Sequence, residues 1–200
     1  MGRHPVARTF IWLGKATSIV LFGLLAGVVY RYVLVHSNFN LHAVENGMVY
    51  RSGQMPADEL ARLVKTAGIR TVINLRGEHV GQDWYDEESQ RARFMGVSLV
   101  NYPISSQSQL TDLQMNEISA AIRKAEKPVL IHCLAGSDRT GLACALYCVD
   151  AGLPVSFAQE QLSSYYGHFP HLLWQDSAAM DVSLGRYLEQ ASVRGANGSK

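Results

Sequence analysis

Val129-Leu130-Ile131-His132-Cys133-Leu134-Ala135-Gly136-Ser137-Asp138-Arg139-Thr140-Gly141 begins as an apolar run, ends it in a cysteine, and turns through small residues. The run reads as a buried strand, Val129 to His132, and Arg139 to Ala151, stopped by Gly152, reads as a helix. A strand–loop–helix junction sets Cys133 where the unpaired N–H groups of a helix start converge with partial positive charge. Such a loop binds a phosphate-like dianion and favours the thiolate, the reactive form of cysteine. Cys133 can then attack phosphorus in line and form a phosphocysteine. Arg139, six positions on, returns to the loop mouth with a planar fork that fits two phosphoryl oxygens. Leu134, Ala135, Gly136, Ser137, Asp138 and Arg139 make up the phosphate-binding set, with Gly136 permitting the turn. Thr140 can donate its hydroxyl to the sulfur and help it leave in the hydrolytic step, and His132 orients the loop. A lone cysteine after an apolar strand is usually a small buried hydrophobe. That bland reading is kept for Cys144 and Cys148. The joint presence of Gly136, Arg139 and Thr140 removes it for Cys133.

HCLAGSDRTG, residues 132–141, resembles the phosphate-binding loop of the cysteine-dependent protein tyrosine phosphatase superfamily. Val49-Tyr50-Arg51-Ser52-Gly53-Gln54 and Gly68-Ile69-Arg70-Thr71-Val72-Ile73-Asn74-Leu75-Arg76 look like the opening of compact, dual-specificity-like bacterial phosphatases. The resemblance covers roughly residues 44–170. It implies hydrolysis of phosphate monoesters, phosphotyrosine or dual-specificity, with no metal or other cofactor. A rhodanese-type sulfur carrier also sets a cysteine in an anion loop, but its loop usually lacks the Asp-Arg-Thr-Gly continuation.

The general acid departs from the superfamily pattern. An aspartate on a separate loop, some thirty residues before the cysteine, usually protonates the leaving oxygen. Here the corresponding stretch is Asn101-Tyr102-Pro103-Ile104-Ser105-Ser106-Gln107, with Ser106 where a carboxylate is expected. Asp138, inside the loop, is the candidate acid; an aspartate there resembles the loops of some bacterial phosphatases and of the myotubularin lipid phosphatases. Asp112 is the second candidate, although Thr111-Asp112-Leu113-Gln114 also fits a capping box.

Arg3, His4 and Arg8 make residues 1–9 a basic tail. Residues 10–35 are almost wholly apolar, broken by Lys15 and Arg31. With those two side chains snorkelling, the stretch is expected to be a transmembrane anchor with a cytoplasmic N-terminus and the catalytic domain on the periplasmic side of a bacterial inner membrane. A cleaved leader and a buried helix are the alternatives.

Residues 36–43 read as a linker, 44–191 as one domain and 192–200 as a flexible tail. Strands are expected at Met48–Ser52, Thr71–Leu75, Val97–Tyr102 and Val129–His132. Helices are expected at Pro56–Ala67, Trp84–Met95 (charged and solvent-facing), Thr111–Ala125, Arg139–Ala151, Pro154–Tyr166 and Asp176–Ala191. This alternation implies an α/β domain with a mainly parallel central sheet flanked by helices and the loop at the carboxyl end of a strand. A net charge of +1 leaves no nucleic-acid footprint. The expected partner is a phosphorylated protein or small phosphate ester. Two rival readings stand beside it: a phosphoinositide or small phosphate-ester phosphatase, and a non-catalytic phosphate-binding module. Arg76, Glu78, His79 and Asp83 are weaker candidates for the cleft mouth, and Arg51 for a second phosphate or an acid partner.

Overall fold

The computed structural model describes residues 5–170 and 177–198. Arg3, His4 and Asp176, at which sequence features were placed, lie outside the described residues, with the rest of 1–4, 171–176, 199 and 200.

The sheet is built around the run that ends in Cys133. Five strands lie in the order β1-β2-β5-β3-β4. They are β1 (His42–Glu45), β2 (Val49–Ser52), β3 (Thr71–Asn74), β4 (Ser98–Asn101) and β5 (Val129–His132). β5 pairs in parallel with β2 and β3, and β3 with β4, while β1 closes the edge antiparallel to β2. A parallel strand with neighbours on both sides and helices on both faces must be apolar throughout. All four residues of β5 are buried, and all four of β3. Alternation divides β5 between two cores: Val129 and Ile131 face one cluster, Leu130 the other.

The first core lies under α4 (Asp112–Lys124), α5 (Asp138–Asp150), α6 (Val155–Glu160) and α7 (Ala178–Gly198), and joins Met115, Ile118, Ile122, Leu142, Met180 and Tyr187. The second lies under α2 (Ala57–Ala67) and α3 (Asp83–Phe94), with Leu60, Leu63, Val72 and Ala92. α5 is buried from Thr140 to Cys148, so the helix that starts at the cysteine loop is the central helix of its layer. α2 ends on Gly68 in the left-handed region, as its sequence stop predicts.

Four sequence expectations are corrected. The linker of residues 36–43 is partly structured: β1 starts at His42, and the compact unit that carries the sheet starts at Phe39. β1 escapes detection because it is four residues long and irregular in register. The single helix expected over Pro154–Tyr166 is two pieces, α6 and a 3₁₀ turn at Ser164–Tyr166. The flexible tail expected from residue 192 is instead helix as far as Gly198. The transmembrane anchor over residues 10–35 is not found either. Residues Pro5–Ser37 form a helix, α1, in a unit of its own, but among the described residues no helix is long and apolar enough to cross a membrane. The stretch between Lys15 and Arg31 spans residues 16–30. That is about 22 Å of helix against a hydrocarbon core of about 30 Å. Counting the snorkelling flanks as apolar length overstates the span.

Candidate active site

Three successive carbonyls of the cysteine loop are held from one side. Gln54 N–H donates to Leu134 O at 3.0 Å, Asn40 Nδ2 to Ala135 O at 3.1 Å, and Arg51 Nη2 to Gly136 O at 2.7 Å. All three donors belong to residues 40–54, the wall made by the turn before β1, β1 and β2 themselves, and the turn after β2. In a planar trans peptide the N–H points opposite to the preceding C=O. The N–H groups of Ala135, Gly136 and Ser137 therefore turn away from that wall and form a cradle for an anion.

The fit is close enough to exclude side chains. Gly136 has φ +75°, and a Cβ on it would stand 2.5 Å from Gly53 N and 2.6 Å from Ser52 C. On the facing strand end, a Cβ on Gly53 would stand 2.9 Å from Leu134 O. Glycine on both sides lets two backbones touch.

Arg51, on β2, is fully buried behind this contact. Besides Gly136 O, its Nη1 donates to Gln161 O at 2.9 Å and Gln161 Oε1 at 2.8 Å, and its Cζ lies 3.7 Å from the Tyr166 ring centroid. It neither pairs with an acid nor stands free for a second phosphate, the two roles its sequence suggested. Burial lowers its pKa, against the raising influence of Cys144, Tyr166, Cys133 and Cys148. A buried cation among carbonyls and thiols biases the loop toward negative charge.

Cys133 is buried at the end of β5. Arg139 is half-buried, and its Nη1 makes long bonds to Leu75 O at 3.4 Å and Ile104 O at 3.3 Å. It thus spans from the cysteine loop to the ends of β3 and β4. Arg76 stands beside it: burial and the Arg139 charge both lower the Arg76 pKa, and Glu88 and Cys133 raise it. Arg76 Cζ stacks 3.4 Å from the Trp84 ring centroid, and its Nη1 donates to Gln54 Oε1 at 3.1 Å. The Thr140 hydroxyl, expected on the sulfur, donates instead to Ser52 O at 3.4 Å. The Ser137 hydroxyl donates to Tyr166 O at 2.8 Å.

A family model for the Swiss Army Knife protein DSP-PTPase phosphatase domain (PTP-SAK) matches residues 40–194. The chain belongs to this family. It is a phosphatase of the protein-tyrosine and dual-specificity type. No curated protein sequence matches it. Among solved structures it is similar to Pseudomonas aeruginosa TpbA, at 23% identity over 77% of this chain and 91% of that one, TM-score 0.56. TpbA has also been solved with phosphotyrosine. PTPMT1, also solved with PI(5)P, matches at 16% identity over 78% of this chain and 99% of that one, TM-score 0.59. The core catalytic domain of the PP-IP phosphatase SIW14 from Saccharomyces cerevisiae matches at 18% identity over 76% and 93%, TM-score 0.55. At these identities the likeness is one of fold.

Within this PTP-SAK domain the two candidate acids are differently placed. Asp112, the first residue of α4, follows the Thr111 cap and pairs with Arg186 Nε at 2.8 Å, and the Thr111–Gln114 capping box is formed. Asp138, the first residue of α5, has its Oδ1 2.6 Å from His168 Nδ1. Ser106 is half-buried in the segment after β4 and brings no carboxylate.

Sequence reasoning missed three participants. Glu88, on the helix read as solvent-facing, is 3% exposed with its Oε1 3.0 Å from His132 Nε2; the other ring nitrogen of His132 lies 3.3 Å from Cys133 O. Its signal was helical phase: Tyr85, Glu88 and Ala92 share the inner face of α3. Asn40 sat in the supposed linker. His168 carried no motif at all. Of the remaining mouth candidates, His79 Nε2 lies 3.3 Å from Arg76 O, and Glu78 Oε1 accepts from Asn101 Nδ2 at 3.4 Å. Burial pushes the Cys144 thiol up to about 11 and the Cys148 thiol up to about 12, which leaves both as inert core residues.

Proposed function

We propose that the chain hydrolyses phosphate monoesters, on phosphotyrosine or with dual specificity, through a phosphocysteine intermediate. The observation that supports the reading is the set of carbonyls tied to the wall at Leu134, Ala135 and Gly136, which turns the opposite N–H groups of the loop away from that wall. A phosphoryl dianion in that cradle meets Cys133 in line. The thiolate attacks phosphorus and the ester oxygen departs. Water then attacks the phosphocysteine and releases inorganic phosphate and the thiolate. Arg139 exchanges its long carbonyl contacts for charged bonds to the equatorial oxygens, which are the stronger. Positioning and charge stabilisation supply most of the acceleration.

A second reading, a phosphoinositide or other multiply anionic ester, is favoured by Arg76. Its guanidinium stands close enough to Arg139 for the two charges to oppose each other, and a second anionic group on the substrate would relieve that repulsion. Phosphotyrosine and PI(5)P, bound by TpbA and PTPMT1 respectively, frame the two readings. The extracytoplasmic location is a separate proposal, carried by Arg3, His4 and Arg8 ahead of an apolar stretch. Protease accessibility in spheroplasts tests it.

The deciding experiment is hydrolysis of p-nitrophenyl phosphate by the full chain, with reductant and without metal, against Cys133→Ser. The expected outcome is turnover that vanishes in the variant, with a phosphate adduct on Cys133 trapped by acid quench and found by mass spectrometry. Turnover that survives in Cys133→Ser overturns the reading. Phosphate binding without turnover in the wild type points to the non-catalytic module.

A further inference from the structure

His168 joins two carboxylates across the edge of the site. Its Nδ1 lies 2.6 Å from Asp138 Oδ1 and its Nε2 lies 3.0 Å from Asp181 Oδ2. The imidazole is 2% exposed, Asp138 25% and Asp181 41%, so the chain runs from the cysteine loop through a buried ring to the surface. Only the doubly protonated ring can donate to a carboxylate on each side. Among the described residues, the titratable groups that face the ring are Asp138 from α5 and Asp181 from α7. Burial alone would lower the pKa of His168, and these two partners raise it above its ordinary value. Gly167, at φ +86°, and the Ser137 hydroxyl, bonded to Tyr166 O, fix the turn that delivers the ring.

We propose that His168 and Asp181 are positioning residues for Asp138. They hold its Oδ1 and leave Oδ2 to serve as the proton donor and acceptor that the segment after β4 does not provide. The inference rests on the phosphocysteine reading above. In the first step the Asp138 carboxylate takes a proton from solvent on Oδ2 as the substrate dianion binds, while its Oδ1 still accepts from His168 Nδ1 and the Asp181 carboxylate balances the imidazolium. The phosphorus–ester oxygen bond breaks as the sulfur–phosphorus bond forms, the Oδ2 proton moves to the departing oxygen, and a carboxylate remains. In the second step that carboxylate takes a proton from the attacking water, the sulfur–phosphorus bond breaks, and the thiolate and the acid are restored. His168 keeps its proton throughout, and its charge stabilises the carboxylate formed between the steps. Asp181 keeps His168 protonated, so a surface residue governs the acid of the loop.

The test uses the full chain, His168→Gln and Asp181→Asn, with phenyl phosphate as the poor leaving group and p-nitrophenyl phosphate as the good one. General acid catalysis contributes about 10²–10⁴-fold where it operates. His168→Gln is therefore expected to lower phenyl phosphate turnover at least about tenfold more than p-nitrophenyl phosphate turnover. Asp181→Asn, at a partly exposed site that endangers folding less, is expected to shift a limb of the pH profile of kcat/KM for phenyl phosphate. Equal losses on both esters with an unmoved pH profile overturn the proposal. NMR titration of the His168 ring separates this failure from failure of the functional reading. The ring should titrate above its ordinary value, and lower in Asp181→Asn and Asp138→Asn. A ring that titrates at or below its ordinary value in the wild type overturns the proposal whatever the activity. Esters that the wild type does not hydrolyse, with the ring titrating high, sink the phosphocysteine reading and with it the acid role.

Discussion

Arg51 Nη2 donates to the Gly136 carbonyl at 2.7 Å, and no carboxylate among the described residues pairs with this fully buried guanidinium. The arginine is committed to shape: one planar fork fixes both the loop and, through Gln161, the segment after α6. A lysine keeps the charge but cannot serve those acceptors from one plane. Each hydrogen bond lost to a charged donor costs about 1.5–3 kcal/mol. At about 2–4 °C per kcal/mol for a domain of this size, Arg51→Lys should lower Tm by roughly 5–10 °C. Thermal unfolding checks it, and a Tm within a degree of wild type would remove the structural role.

Gly136→Ala should abolish turnover. The new methyl meets backbone at 2.5 Å in a left-handed conformation, so the loop must move. Gly96 isolates the conformational part: it has φ +68°, and a methyl there would meet nothing within 4 Å. Gly96→Ala should cost about 1–2 kcal/mol in denaturant melts while kcat stays at the wild-type value.

Asp138→Asn should slow phenyl phosphate hydrolysis by about 10²-fold or more, the range of a lost general acid. Asp112→Asn breaks a half-exposed pair with Arg186, worth about 0–1 kcal/mol, and should change turnover less than about threefold. Steady-state kinetics on both esters decides, and the reverse ranking would move the acid to α4.

Alkylation should find one cysteine. Cys144 and Cys148 are held as thiols by burial, pushed up to about 11 and about 12, so neither is ionised near neutral pH. Iodoacetate should inactivate by modifying Cys133 alone, with inorganic phosphate protecting. Peptide mapping reads the site.

Stability should carry a histidine signature. Burial pulls the His168 pKa down, the hydrogen bonds and charges of Asp138 and Asp181 outweigh it, and the net direction is up from 6.5. A group raised on folding contributes stability that is complete below its unfolded value and is lost as pH climbs through its folded value. The denaturation midpoint of the wild type should therefore fall, relative to His168→Gln, as pH rises from 6.5 upward.

What was legible in the sequence was what lies contiguous in it. The cysteine loop declares itself because Cys133, Gly136, Arg139 and Thr140 occupy one turn, and β3 and β5 declare themselves because burial on both faces demands unbroken apolar runs. Glu88 was readable in principle, since Tyr85 and Ala92 set the inner face of α3. Asn40 and His168 were not. Asn40 reaches a residue 95 positions away, and His168 meets Asp138 and Asp181 only because the chain turns at Gly167. Pro154–Tyr166 reads as one helix because nothing in it announces that α6 stops at Glu160 and that the next residue, Gln161, gives its carbonyl to Arg51. The apolar stretch near the N-terminus misled through its flanks, where Lys15 and Arg31 shorten what composition lengthens.

The solitary charge of Arg51 ties the reaction's product to the lifetime of the protein. Among the described residues the folded state stores this cation without a counter-ion, and an anion in the adjoining cradle would complete it, so inorganic phosphate is expected to raise the unfolding midpoint, which thermal melts with and without phosphate check. At a hundredfold excess over Kd it adds about 2.7 kcal/mol, a large share of the margin by which a domain stays folded. The product that slows the proposed reaction would then also be the ligand that holds the domain folded.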